Sequence, residues 1–127
     1  MTARNTVIVL AFAFCMSGCR GSGSSILTRM YFGMSSHGTE IPAAQWNGFV
    51  DSVITPVFPD GFTVYAAQGQ WRGSGGAVEK QPCMVLEIVH SRSAENNRKI
   101  LLIAETYKAR FDQESVLILR QAAQAEF

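Results

Sequence analysis

The sequence predicts an α+β domain: an antiparallel four-stranded sheet with two helices on one face. Three observations predict it. Two segments repeat apolar residues with the 3.6-residue period of a helix. Four segments alternate apolar and polar or aromatic residues as strands do. Gly and Pro turn signals separate them in the order β-α-β-β-α-β.

Residues 27–32 form the first strand, which ends at Gly33, and residues 34–41 form a polar loop carrying His37. A helix begins at about Pro42, because Pro suits a first turn. Trp46, Phe49, Val50, Val53 and Ile54 then fall on one face. Thr55-Pro56 ends this helix, since a residue before Pro avoids helical geometry. Pro59-Asp60-Gly61 is a turn in which Pro presets one angle and Gly supplies a positive one. The second strand covers residues 62–72, and a loose glycine-rich connection leads to Pro82. The third strand is 84–90. Ser93 can cap a second helix running to about Phe111, with Ile100, Ala104, Tyr107 and Phe111 on its buried side and Leu101 and Ile103 flanking. Residues 115–120 are the last strand, and 121–127 read as a mobile tail. Two helices and four strands of these lengths suggest the ferredoxin-like sandwich; another α+β meander has the same element count.

Strand residues alternate between faces. Met84, Leu86 and Ile88 make the better core side of the third strand, with Phe62, Val64 and Ala66 beside them. The opposite face then holds Tyr65, Trp71, Val85, Val89 and one pair from the last strand, either Leu117 with Leu119 or Val116 with Ile118. That face is too apolar to face water alone. The simplest cover is a second copy, giving a homodimer with sheets face to face. Glu87 sits in the middle of this face, as a half-exposed structural carboxylate or as an acid whose proton affinity rises on burial.

The chain also carries an address. Arg4, the apolar run over residues 7–16 and Ser17-Gly18-Cys19 follow the order of an export signal. The run is about ten residues long, and a spanning helix needs roughly 20. Ser-Gly-Cys resembles a bacterial lipobox, with lipid attached to Cys19 and cleavage before it. An ordinary cut after Ala11-Phe12-Ala13 competes, but leaves a greasy new start. The reading is a signal peptide over 1–18, a lipidated Cys19 with a flexible tether to about residue 27, a single domain over 28–120 and a tail. The Gly/Ser-rich residues 20–25 span about 13 Å as a random coil, which holds the domain near the membrane. Arg20, where an Asp favours inner-membrane retention in Gram-negative cells, points to the outer membrane facing the periplasm.

Composition and motifs exclude more than they assign. The chain has 11 Lys plus Arg and 10 Asp plus Glu, and Arg4 lies in the leader, so the mature protein is near neutral. No basic stripe exists to hold nucleic acid. Cys83 is the single cysteine after Cys19, which leaves no internal disulfide; a small buried residue is the expected role. The glycine-rich residues 69–76 lack the Gly-Lys-Ser/Thr ending of a phosphate loop and read as a hairpin connection. His37 and His90 have no ligand-type neighbours at metal spacing, so no metal and no cofactor is expected. No Gly-x-Ser-x-Gly elbow is present. Trp71-Arg72 could stack on and clamp an anionic ligand.

Tyr31-Phe32-Gly33, Trp46-x-x-Phe49-Val50-Asp51, Phe58-Pro59-Asp60-Gly61, Gly69-Gln70-Trp71-Arg72 and Tyr107-Lys108-x-Arg110-Phe111-x-Gln113-Glu114-Ser115-Val116 occur together in this order. The set resembles a bacterial family of small exported proteins and lipoproteins classed as a domain of unknown function. The resemblance spans about residues 30–119 and implies export and a single small domain. It supplies no catalytic residues. The expectation is a non-catalytic envelope lipoprotein that binds a partner or ligand near the membrane. The rival is a small dimeric α+β-barrel enzyme doing proton transfer or oxidation, with a pocket between sheet and helices. Tyr31, Tyr65, Trp71, Arg72 and Glu87 are the candidate ligand-binding residues for either.

Overall fold

A computed structural model describes residues 25–126. The leader, Cys19 and most of the tether lie outside the described residues. The chain runs β1 (Ser25–Gly33), a small hairpin of β2 (Ser35–Ser36) and β3 (Thr39–Glu40), α1 (Ala43–Phe49), a π-helical stretch (Val50–Ile54), α2 (Thr55–Val57), β4 (Thr63–Arg72), β5 (Val78–Ser91), α3 (Ala94–Phe111) and β6 (Leu117–Ala123). The main sheet has the order β4-β5-β1-β6 with all neighbours antiparallel. The fold is α+β, with both long helical segments packed on one side of four antiparallel strands.

The packed side follows from alternation along the strands. Met30 and Phe32 of β1 lie in register with Leu86 and Met84 of β5. Trp46 and Phe49 from the first helix and Ile100, Ile103, Tyr107 and Phe111 from α3 close over them. Phe32 is at the centre, with ring centroids 4.7 Å from Tyr107, 5.3 Å from Trp46 and 6.1 Å from Phe49. The Tyr107 hydroxyl donates to the Gly33 carbonyl at 2.7 Å, so this buried hydroxyl is satisfied. Burial pushes the Tyr107 phenol well above its ordinary range, which keeps it protonated as a donor.

Several boundaries differ from the expected ones, each for a physical reason. The first helical segment continues through Thr55-Pro56 as far as Val57. In an α-helix the Pro ring would crowd the carbonyl four residues back. The π-helical stretch just before it widens the turn and absorbs the ring, and helical bonding resumes with Phe58 N–H on the Ile54 carbonyl at 2.9 Å. The polar loop contains the β2–β3 hairpin, whose turn residues His37 and Gly38 both have positive φ.

β5 begins at Val78, six residues before the expected start. Pro82 hides this extension, since Pro is rare inside sheets. It is tolerated because its nitrogen faces β1 rather than β4. Its carbonyl accepts from Met34 N–H at 2.9 Å, and the return bond that Pro cannot make is replaced by Ile41 N–H on the Met34 carbonyl at 2.8 Å. The glycine-rich connection shrinks to a turn closed by Gly73 N–H on the Ala77 carbonyl at 3.0 Å.

At the ends, β1 starts at Ser25 and pairs with Ala123, so residues 121–123 belong to the sheet rather than to a tail, and Ser25 belongs to β1 rather than to the tether. The α3 limits agree with expectation: the Ser93 hydroxyl accepts from Asn96 N–H at 3.0 Å. Ile103 is core, whereas Leu101 is exposed.

Candidate functional site

The candidate residues fall on two features, and both lie on the sheet face away from the helices. The first is the middle of that face. Arg29 of β1 lies opposite Glu87 of β5 and Leu119 of β6. One row along, Tyr31 lies opposite Val85 and Leu117, with Tyr65 of β4 beyond Val85. The Arg29 guanidinium forms an ion pair with Glu87, and the Tyr65 hydroxyl donates to the same carboxylate oxygen at 3.3 Å. Arg29 also donates to Gln121 Oε1 at 3.1 Å. The hydrogen bond to Glu87 and its charge raise the Arg29 pKa, holding the cation. Desolvation and then the Glu87 charge raise the Tyr65 phenol, holding it neutral as a donor. Around this polar centre, Tyr65, Val89, Leu117 and Leu119 are large exposed side chains. Of the two possible β6 pairs, Leu117 and Leu119 point outward, while Val116 and Ile118 pack against the core.

The second feature is a cleft of about 940 Å³ at the end of the same face. β1 stops pairing at Gly33 opposite Cys83, but β4 and β5 continue as a two-stranded ribbon to Arg72 and Val78. This ribbon, the β2–β3 hairpin and the α3–β6 connection wall the cleft. The rim carries a His37–Asp112 pair, Nε2 to Oδ2 at 2.7 Å, which joins the hairpin to the end of α3. His37 therefore has a carboxylate partner in space that its sequence neighbours do not supply. His90 is bonded to the Thr28 hydroxyl at 2.8 Å and to the Ser91 carbonyl, a structural role. Among the described residues no group of three or more His, Cys, Asp and Glu side chains could hold a metal.

The candidate residues divide between the two features. Tyr65 and Glu87 meet at the centre of the face, Trp71 and Arg72 line the cleft, and Tyr31 stands between them as part of both. Arg72 donates to the Gly76 carbonyl at 3.2 Å, so it braces its own hairpin. The aromatic cluster fills the centre of the space between sheet and helices, the place of the expected pocket; a small hollow of about 290 Å³ remains at one end of it, lined by Ile41, Ala43, Ala66, Pro82 and Met84 among others, and none of the candidate residues lines it. Sequence reasoning missed Arg29, which shares the Leu27-Arg29-Tyr31 side of β1 and would have been found once β1 was placed beside the strand carrying Glu87. It also missed Gln81 and Gln113, which stand at the cleft floor.

Cys83 is buried, and desolvation raises its thiol pKa. The neutral thiol is the favoured form in the fold, and its stabilising effect is lost as pH rises past the unfolded-state pKa. We expect iodoacetamide at pH 8 to label the folded protein at least about tenfold more slowly than the urea-unfolded chain. Equal rates would contradict this environment.

Among curated proteins, none matches the sequence. Solved structures do share the fold. A phage SAM lyase in complex with S-methyl-5′-thioadenosine is 15% identical, with a TM-score of 0.63 over 83% of this chain and 93% of that one. The phage SAM lyase in its apo state gives 16% identity and a TM-score of 0.61 over 85% and 95%. CutA from Synechococcus elongatus PCC7942 gives 6% identity and a TM-score of 0.52 over 80% and 79%. At these identities the likeness concerns the fold. Residues 27–127 match the family model described as "Protein of unknown function (DUF3574)", and the chain belongs to that family.

Proposed function

We propose that this protein is a cell-envelope lipoprotein whose domain acts by association through its open sheet face, with a second copy as the partner, rather than by catalysis. One observation carries the reading: Tyr65, Val89, Leu117 and Leu119, each between 41% and 55% exposed, crowd one side of the sheet around a neutralised ion pair. Apolar surface of this kind marks an interaction site. Arg29 and Glu87 are already paired within one copy, so covering them strands no lone charge. Near-neutral overall charge supports a protein partner over nucleic acid. The strand order, with both helices on one side, supports the ferredoxin-like description.

The address rests on the lipobox-like Ser17-Gly18-Cys19 and on Arg20. Lipid on Cys19 anchors the mature chain, and the outer membrane facing the periplasm is its place. Cys19→Ala is expected to abolish radiolabelled palmitate incorporation and to release the protein from membranes; equal labelling of the variant removes the lipoprotein reading. Cross-linking in intact cells is expected to give a band at twice the monomer mass. Bands with other proteins and none at the doubled mass would remove the second copy as partner.

A second reading keeps the small-enzyme alternative. It rests on Glu87 lying mid-face beside Tyr65, and on the likeness of fold to an enzyme, the phage SAM lyase. The engagement of Glu87 with Arg29 favours the first reading, because a proton-transfer carboxylate has to leave that partner. Incubation with SAM, followed by chromatography for S-methyl-5′-thioadenosine, separates the two: product lost in Glu87→Gln supports the enzyme.

A further inference from the structure

We infer that the cleft at the ribbon end of the open face is a binding site for an uncharged nucleoside or a neutral nitrogen heterocycle of that size. The inference does not rest on pairing between copies.

The shape comes first. Along the outer face, the aromatic row of Tyr31 and Tyr65 is followed by Gly33, Cys83 and Gly69, and then by Trp71. Small residues thus floor a trough with aromatic side chains at both ends. Tyr31 and Trp71 line the two ends; Tyr31 shares the row of Tyr65, six residues before Trp71 on β4, so the two ends stand about 20 Å apart along the strands at the rise of a strand. That length takes a ring with an attached sugar and leaves space beyond a bare ring. A planar base has a π-face to set against the exposed indole of Trp71 or the phenol of Tyr31.

The floor then supplies direction. Gln81 is 7% exposed, and its Oε1 accepts from the Ser35 hydroxyl. Gln113 Nε2 donates to two carbonyls, Ser35 at 2.8 Å and Phe111 at 3.2 Å, which fixes the orientation of that amide. Two atoms remain: Gln81 Nε2, a donor, and Gln113 Oε1, an acceptor. Neither makes a hydrogen bond among the described residues. Both converge over Gly33, where a Cβ would stand 2.9 Å from the first and 3.1 Å from the second. Among the described residues no buried side-chain nitrogen or oxygen lacks a partner, so this donor opens onto the cleft, where a ligand's acceptor can take the place of water. A neighbouring acceptor and donor form the complement of a ring edge bearing an adjacent N–H and acceptor, as nucleobases do.

Charge selects within that class. Arg72 and Lys80 are matched on the lining by Glu79 and Glu114, beside the His37–Asp112 pair, and Arg72 is engaged with its own hairpin, so no excess of positive charge awaits a phosphate. A nucleoside therefore fits better than a nucleotide.

The test titrates the soluble chain beginning at Arg20 with adenosine, inosine and uridine, following tryptophan fluorescence and the thermal midpoint. Trp46 is buried, so quenching reports Trp71. At least one nucleoside is expected to saturate with a Kd at or below about 1 mM, and its 5′-monophosphate to bind more weakly. Gly33→Ala and Gln113→Ala are expected to weaken binding at least about tenfold. Trp71→Phe should lose the quenching but keep a thermal shift. Gln113 is only partly buried, so its variant serves if Gly33→Ala fails to fold. Absence of saturable binding by all three nucleosides, or unchanged binding in Gln113→Ala, overturns the inference. A dimer that binds none refutes the site alone, whereas a monomer that binds refutes the pairing alone.

Discussion

Phe32→Ala is expected to lower the thermal midpoint of the domain by about 20 °C. Phe32 is fully buried and touches Trp46, Phe49 and Tyr107, drawn from both helical segments. Truncation of such a ring costs about 3–5 kcal/mol, since a cavity is added to the lost transfer energy. Each kcal/mol moves the midpoint by about 4–8 °C in a domain of this size. The neighbours are aromatic and rigid, so collapse into the void is limited. Calorimetry checks the value. A fall of only a few degrees would mean that the cluster is not the centre of the core.

Leu119→Lys is expected to weaken self-association at least about a hundredfold while leaving the fold of the single copy nearly unchanged. Leu119 is exposed on the outer side of β6, opposite Arg29. Surface substitutions of this kind change stability by about 0.5 kcal/mol or less. In a two-fold pair the side chain is lost from both copies. Leu119 is 46% exposed, so covering what remains contributes about 0.8–1.5 kcal/mol per copy and about 1.5–3 kcal/mol for the pair. Each copy must also desolvate a lysine ammonium, and at about 1.4 kcal/mol per tenfold the two losses together exceed a hundredfold. Light scattering over a dilution series reads the change. An unchanged association constant would place the contact elsewhere.

Much of the architecture was legible because it rests on local chemistry. Ser93 and the apolar spacing from Ile100 to Phe111 define α3, since a cap and a stripe act within a few residues. The alternation in β5 assigned Leu86 and Ile88 to the core and Glu87 to the open face. Misread segments depend on partners distant in sequence. Pro82 reads as a strand breaker until Ile41 is seen to supply the bond it cannot make. Thr55-Pro56 reads as a helix stop until the π-helical turn before it is known. Residues 121–123 read as a tail because only β1 makes them a strand.

The same distinction governs the site. Trp71 and Glu87 announce themselves as unusual residues on an outward strand side. Arg29, Gln81 and Gln113 acquire meaning from register: Glu87 opposite the first, Gly33 beneath the other two. Side-chain type alone does not mark a glutamine with an unused donor.

Sedimentation equilibrium of the soluble chain beginning at Arg20, at micromolar concentration, tests the association claim most directly. A mass twice that of the single chain, falling to the single mass in Leu119→Lys, is the predicted result. A single-chain mass for the unaltered protein across that range would contradict it.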